Sequence, residues 1–161
     1  QKGNEALRKK IFKMYLAHTS FINNWDLVDC SAGYIVGKYL EDKEKTALTK
    51  LAKSKKLWEK RIAMIATLQF IVNGSSKDAM HIAELLLNDK HDLIHKAVGW
   101  MLREVGKRCS TKDLEAFLHL HHKTMPRTML RYAIEKLPKQ KRIKYMRVIH
   151  TPHRHNKAMN P

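Results

Sequence analysis

The spacing of apolar residues repeats along the chain with the period of one helix pair. Apolar positions recur every three or four residues almost throughout, which predicts amphipathic helices. The second helix of each pair begins near Trp25, Trp58, Asp92 and Arg127, so successive starts are 33, 34 and 35 residues apart. Such a period, with two helices per unit, is typical of helical solenoids. We therefore predict an all-α chain wound as a right-handed α-α superhelix with HEAT-like repeats; a plain helix bundle is the alternative.

Capping and helix-breaking residues predict where the helices begin and end. Asn23 or Asn24 and Ser110 or Thr111 are candidate N-caps, and Pro126 fits the first turn of a late helix. Asn73-Gly74 is a stop signal. The expected helices cover residues 7–19, 25–40, 45–52, 57–72, 76–88, 91–107, a segment after 110, 126–137 and 139–150.

The charge of the chain predicts its class of partner. The 161 residues include 32 Lys and Arg against 15 Asp and Glu, a net charge of +17. This attracts a polyanion, either nucleic acid or an anionic membrane surface. No apolar run approaches the ~18 residues of a membrane span. Cys30 and Cys109 lack metal-ligand spacing, and His119, His121 and His122 spread around a helix, so we expect no metal and no cofactor.

Polar residues cluster at the starts of the second helices. In a right-handed stack they would line one edge of the inner, concave face, and most are cationic. A curved basic groove suits duplex DNA, whose phosphates dominate affinity. A solvated charged surface is the plainer alternative. The candidate phosphate contacts are Lys60, Arg61, Lys96, Arg127 and Arg131.

The C-terminal third is strongly basic. Residues 123–157 hold eleven Lys and Arg and one acid, Glu135. Between residues 139 and 147 the cations surround apolar residues, which makes a basic amphipathic stretch. Phosphate contact is the favoured use, and membrane-surface binding is the second.

Asp29 is out of place on a DNA-facing surface, because a carboxylate repels phosphate. It makes sense where a positive charge must be stabilised, as when a glycosidic bond breaks and the sugar becomes oxocarbenium-like. Trp25 precedes Asp29 by four residues and shares its helix face. Its indole and that of Trp100 are candidates to contact the sugar or a cationic base. We predict Asp29, Trp25 and Trp100 as catalytic, with Arg61 holding a phosphate bidentately.

Each of these candidates has a structural alternative. Trp25 and Trp100 could be core residues, and Asp29 could simply pair with Arg61 across neighbouring helices. Asp26 is explained by the helix dipole, because acidic residues suit the first turn of a helix.

Four ordered motifs resemble the DNA alkylation repair family of the AlkD type, over residues 4–145. They are Asn-Asn-Trp-Asp-Leu-Val-Asp (23–29) with Ile-Val-Gly (35–37), Leu-Trp-Glu-Lys-Arg-Ile-Ala (57–63), His-Lys-Ala-Val-Gly-Trp-Met-Leu-Arg-Glu-Val-Gly-Lys (95–107) and Met-Pro-Arg-Thr-Met-Leu-Arg-Tyr-Ala-Ile-Glu-Lys (125–136).

This resemblance implies a solenoid that wraps duplex DNA and a metal-free hydrolysis that excises cationic N3- and N7-alkylated purines. Such a glycosylase need not pull the lesion into a pocket, unlike most glycosylases. The catalytic aspartate of the family falls on Asp29, its two sugar-contacting tryptophans on Trp25 and Trp100, and its phosphate-binding arginine on Arg61.

The expected organisation is one repeat domain over residues 1–150 and a basic, disordered tail over 151–161. Family members carry helices before the segment that matches Gln1, so we expect this domain to lack them. We expect a monomer that acts on duplex DNA containing alkylated purines, in the nucleoid of a bacterium or the nucleus of a eukaryote. A non-catalytic protein that binds distorted or branched DNA is the main alternative, and a protein-binding scaffold is the third.

Overall fold

A computed structural model describes residues 4–147, and every regular element in that range is helical. The predicted all-α class is confirmed. The predicted tail at 151–161 and the last residues of the predicted final helix lie outside the described range. The helices are α1 (Glu5–Ala17), α2 (Trp25–Ala32), α3 (Lys38–Leu40), α4 (Thr46–Ala52), α5 (Leu57–Ala66), α6 (Leu68–Val72), α7 (Lys77–Leu86), α8 (Asp92–Arg108), α9 (Thr111–His121), α10 (Arg127–Ala133) and α11 (Lys139–Met146).

The predicted caps fix several of these helix starts. The Asn24 side chain accepts a hydrogen bond from the Asp26 amide, and the Ser110 side chain accepts one from the Asp113 amide. Each bond satisfies an amide that has no partner within its helix. Gly74 ends α6 with a φ of 84°, a conformation that favours glycine.

Three predicted boundaries need correction. The expected single helix over 57–72 is divided at Thr67, whose hydroxyl donates to the Met64 carbonyl at 2.7 Å and competes with the helical pattern. Pro126 is the residue before α10 rather than part of its first turn, and its extended backbone (ψ 140°) turns the chain into that helix. The helix also ends at Ala133, earlier than expected.

The predicted helix over 25–40 contains a π-helical segment, Gly33–Gly37, between α2 and α3. The Lys38 amide donates to the Gly33 carbonyl, five residues back, instead of the usual four. Val28, Ala32, Val36 and Leu40 are all buried, so one apolar stripe runs through both helices and the segment between them.

The helices form two rows. Helices α2, α5, α8 and α10 make the inner row, in which each helix contacts the next. Helices α4, α7 and α9 make the outer row: α4 packs on α5, and both α7 and α9 pack on α8. This layered pairing agrees with a helical solenoid, whereas its right-handed winding stays a prediction. In α5, every residue from Arg61 to Ala66 is buried, as suits a helix covered by neighbours on all sides.

Gly99 permits α8 and α10 to approach closely. A Cβ atom at Gly99 would lie 2.5 Å from the Met129 carbonyl oxygen and 2.5 Å from the Tyr132 Cβ atom, both nearer than real contacts allow. The glycine inside the Lys-Ala-Val-Gly-Trp segment therefore serves close helix packing.

We predict that Gly99→Ala destabilises the fold by about 1–3 kcal/mol, because overpacking outweighs the ~1 kcal/mol that alanine gains in helix propensity. Gly33→Ala is the matched control: its Cβ would meet nothing nearer than the Ile65 carbonyl oxygen at 3.9 Å, and its φ is −61°. The control should be neutral or slightly stabilising. Urea denaturation at constant m-value measures both, and equal midpoints would contradict the packing argument.

Candidate functional site

Asp29 lies in the second turn of α2, at the beginning of the inner row. Its side chain is 15% exposed, so the carboxylate is close to the surface without being freely solvated. Trp25, at the start of α2, is 54% exposed. The core role considered for Trp25 is therefore wrong, since more than half of this residue faces solvent.

A buried guanidinium holds the Asp29 carboxylate. Arg61, in α5, donates from Nε to Asp29 Oδ1 at 2.9 Å and from Nη2 to Asp29 Oδ2 at 2.7 Å. Its Nη1 donates to the Leu93 carbonyl of α8 at 2.6 Å, and Arg61 as a whole is 5% exposed. The pairing considered as an alternative for Asp29 is thus present.

This geometry bears on the phosphate contact predicted for Arg61. Nε and Nη2 of Arg61, a pair of donors that could hold a phosphate bidentately, are already bonded to Asp29. Nη1 is bonded to the Leu93 carbonyl, and the burial of Arg61 limits access to it. A phosphate would have to displace the carboxylate. The phosphate role of Arg61 stays a prediction, and the structure gives the residue a direct role in orienting Asp29.

Trp100 lies in α8, two helices further along the inner row. It is half-buried and packs against the hydrophobic core, so part of its side chain belongs to the core and part reaches the surface. The role predicted for Trp100 at a sugar stays a prediction.

Two of the predicted DNA-binding lysines are engaged by carboxylates. Lys60 pairs with Asp89, which also accepts from the His91 amide at 2.9 Å. Burial raises the pKa of Asp89, but hydrogen bonds from Lys60 and the His91 amide outweigh this and leave it below the usual value. Lys96 lies 2.7 Å from Asp92 in the same helix.

The two predicted arginines of α10 differ from these lysines. Arg127 donates from Nη1 to the Met146 carbonyl at 2.9 Å, which ties α10 to the end of α11. Arg131 is exposed, and none of the carboxylates between residues 4 and 147 forms an ion pair with it. The predicted cations therefore lie along the inner row, but most have a partner within the protein.

Two carboxylates, Asp26 and Asp29, lie within one turn of each other on α2. The Cys30 thiol donates to Asp26 Oδ1 at 3.6 Å. Desolvation raises the pKa of this thiol, and the negative charges of Asp26 and Asp29 raise it further. The Cys30 thiol is therefore close to both carboxylates of α2, of which Asp29 is also paired with Arg61.

Glu59 is a positioning residue that the sequence did not reveal. It accepts from the Thr19 hydroxyl at 2.7 Å and the Ser54 hydroxyl at 2.6 Å, and it pairs with Lys56 at 3.1 Å. These bonds join the turn before α2 to the loop before α5, the two helices that carry Asp29 and Arg61. Burial raises the pKa of Glu59, but the three hydrogen bonds lower it more.

Neither a metal centre nor a membrane span is found within residues 4–147. No group of three or more His, Cys, Asp or Glu side chains in this range is placed to hold a metal ion. Helices in the same range are all too short or too polar to cross a bilayer.

The sequence profile described as DNA alkylation repair enzyme matches residues 1–137. The chain belongs to the DNA alkylation repair enzyme family. The match covers α1 to α10 and ends before α11, so the site around Asp29 and Arg61 lies within it. The comparison with curated proteins gives no match.

Removing the guanidinium should destabilise this alkylation repair protein. We predict that Arg61→Leu lowers the free energy of unfolding by about 2–4 kcal/mol, because it leaves the mostly buried Asp29 carboxylate without its partner. Lys96→Leu is the control: Lys96 also pairs with a carboxylate, Asp92, at 2.7 Å, but both side chains are exposed, at 42% and 54%. That variant should lose about 1 kcal/mol or less. Similar losses for the two variants in chemical denaturation would exclude a special role for the Arg61 contact.

Acid should weaken the link between the turn before α2 and α5. The pKa of Glu59 is lower in the folded than in the unfolded protein. The Glu59 carboxylate therefore stabilises the fold fully above the unfolded pKa, about 4.3, and this stabilisation is lost as pH falls through the folded pKa. Glu59→Gln should therefore reduce stability at pH 7 and flatten the loss of stability below about pH 4.5. Denaturant midpoints across this pH range test it, and an unchanged acid limb would contradict it.

Proposed function

We propose that this chain is a monofunctional DNA glycosylase that hydrolyses the N-glycosidic bond of cationic N3- or N7-alkylated purines in duplex DNA. The observation that carries this proposal is the Asp29 carboxylate, which a buried arginine holds in one orientation beside an exposed tryptophan. Membership of the alkylation repair family supports it.

Asp29 would stabilise the sugar as it gains positive charge. An ionised carboxylate has about four lone-pair positions, of which the Arg61 fork uses two. The remaining positions can accept from the attacking water or face the oxocarbenium-like sugar. Because the alkylated base already carries a positive charge, it leaves as a neutral molecule and needs little help from an acid.

Trp25 and Trp100 would flank the sugar, and the inner-row cations would hold the phosphates. Lys96 and Arg131 are the more accessible, since the Lys60 and Arg61 side chains are 19% and 6% exposed. Lys96 can exchange Asp92 for a phosphate at little cost, because its side chain is 42% exposed and such ion pairs are weak. We propose action as a monomer on genomic DNA, which places the protein with the nucleoid or in the nucleus.

A non-catalytic DNA-binding role is the second candidate, and the Asp29–Arg61 contact is equally consistent with it. Each member of the pair satisfies the other, so a purely structural ion pair would look the same. Base release, rather than DNA binding, separates the two functions.

We predict that the full chain releases 7-methylguanine or 3-methyladenine from alkylated duplex DNA and that Asp29→Asn slows release on the order of 100-fold, by loss of transition-state stabilisation. DNA binding by this variant should be equal to that of the native chain or slightly tighter, because a charge that repels phosphate is removed. Single-turnover assays with chromatographic detection of the free base measure the rate.

Asp26→Asn is the matched control, because Asp26 is an exposed acid on the same helix, three residues away. It removes the same charge and should keep the native rate. If native protein binds alkylated DNA tightly and frees no base, the glycosylase proposal fails and the DNA-binding role remains.

A further inference from the structure

A cleft of about 470 Å³ lies between α10 and α11, at the end of the inner row furthest along the chain from α2. Its floor is apolar, with Ile134, Ile143 and Met146. Arg131, Lys139 and Arg142 surround this floor. We call this feature the terminal cleft.

Contacts on the opposite side of α11 explain why its cations face the cleft. Tyr145 packs edge-on against the His122 ring with centroids 5.3 Å apart, and Lys141 pairs with Glu115 of α9. Lys141 and Tyr145 are one turn apart and so share one face. Residues 139, 142, 143 and 146 follow the helical period on the other face, which lies towards α10.

The acid in this cleft is already neutralised. Glu135 pairs with Arg103 and, at 3.2 Å, with Lys136. Hydrogen bonds from Arg103 and then Lys136 lower the pKa of Glu135, so it is ionised and engaged at neutral pH.

The three cations of the cleft, by contrast, have no carboxylate partner within residues 4–147, and all three are exposed. This separates them from Lys60, Arg61 and Lys96, whose charges are balanced by Asp89, Asp29 and Asp92. Of the cations that face DNA in the proposed function, Arg131 of α10, at the far end of the inner row, has no carboxylate partner within residues 4–147, and α11 adds Lys139 and Arg142 beside it.

We propose that the terminal cleft binds the sugar-phosphate backbone of duplex DNA, with Arg131, Lys139 and Arg142 on phosphates and the apolar floor against deoxyribose. The proposal rests on the proposed function only in taking DNA as the partner, and it needs no base release. Helix α11, which supplies two of the three cations, lies beyond the segment that matches the family.

The position of the cleft sets which phosphates it reaches. Three helix-to-helix steps of about 9 Å separate α2 from α10, so α10 lies at most ~27 Å from α2, a span of up to about 8 base pairs along a duplex. The cleft therefore holds backbone that flanks the lesion rather than the damaged nucleotide, and counterion release makes its contribution depend on salt.

The test compares two triple variants for binding to undamaged duplex DNA across a range of salt concentrations. In the cleft variant, Arg131, Lys139 and Arg142 are replaced by Gln. In the control variant, Lys53, Lys77 and Lys112, which are exposed lysines of the outer row, are replaced by Gln. Both variants have three fewer positive charges, and both should keep the native melting temperature because the replaced side chains are exposed.

In the cleft variant, the negative slope of log K against log salt should become less steep by about 2–3, or ~0.9 for each phosphate that the protein no longer neutralises. In the control variant, the slope should change little. Equal changes in the two variants would overturn the proposal, because net charge alone would then explain the binding. It would also fail if the cleft variant kept the native slope on DNA but no longer co-sedimented with phosphatidylserine vesicles. Since the DNA carries no lesion, these outcomes are independent of whether the chain releases bases.

Discussion

The Arg61 guanidinium connects three consecutive helices of the inner row. It lies in α5, grips a carboxylate of α2 with two hydrogen bonds and donates a third to a carbonyl of α8. A charge this deeply buried is tolerated only when its donors are satisfied, so the three helices must keep their relative positions for the group to stay paired. The apolar core stacks the successive repeats, and the Arg61 side chain links that stacking to the orientation of Asp29.

The carboxylates have a second effect on the inner row. Asp29, Asp89 and Asp92 each engage one of the cations expected to meet DNA. These pairs differ in exposure, so they differ in how readily they yield to a phosphate: the exposed Asp92–Lys96 pair is weak, and the buried Asp29–Arg61 pair is not. The charge of +17 therefore overstates how much positive potential this surface offers. The cleft cations that have no carboxylate partner within residues 4–147 lie at the opposite end of the row from Asp29.

Much of the fold follows from local rules that act along the sequence. Asn24 and Ser110 cap the helices that were predicted to begin beside them, and the starts of the inner helices agree with their predicted positions to within one residue. The division at Thr67 and the early end of α10 were not predicted, because both depend on local backbone bonding that apolar spacing does not report.

The site was only partly predictable. Asp29 was identified because an acid is unexpected on a cationic surface, and its pairing with Arg61 was foreseen as one of two possibilities. The contact between Glu59 and Thr19 could not be predicted, because the two residues are 40 positions apart and nothing local marks either of them. For the same reason, charge counting could not show that Lys60 was already paired, since its partner Asp89 comes from a neighbouring repeat.

The π-helical segment between α2 and α3 acts as a rotational adjustment within one long helix. Residues spaced by four drift about 40° per step around a regular α-helix, yet Val28, Ala32, Val36 and Leu40 all stay buried. The π-helical turn at Gly33–Gly37 is wound less tightly than an α-helix, and this offsets the drift. The part that carries Trp25 and Asp29 and the part that packs through Gly37 can therefore each keep its own face towards the core. A change of one residue in the length of this segment would rotate the half that carries Asp29 by about 100° relative to the core. The direction in which the Asp29 carboxylate points could therefore be changed by the length of this segment alone, without any substitution in the residues that surround it.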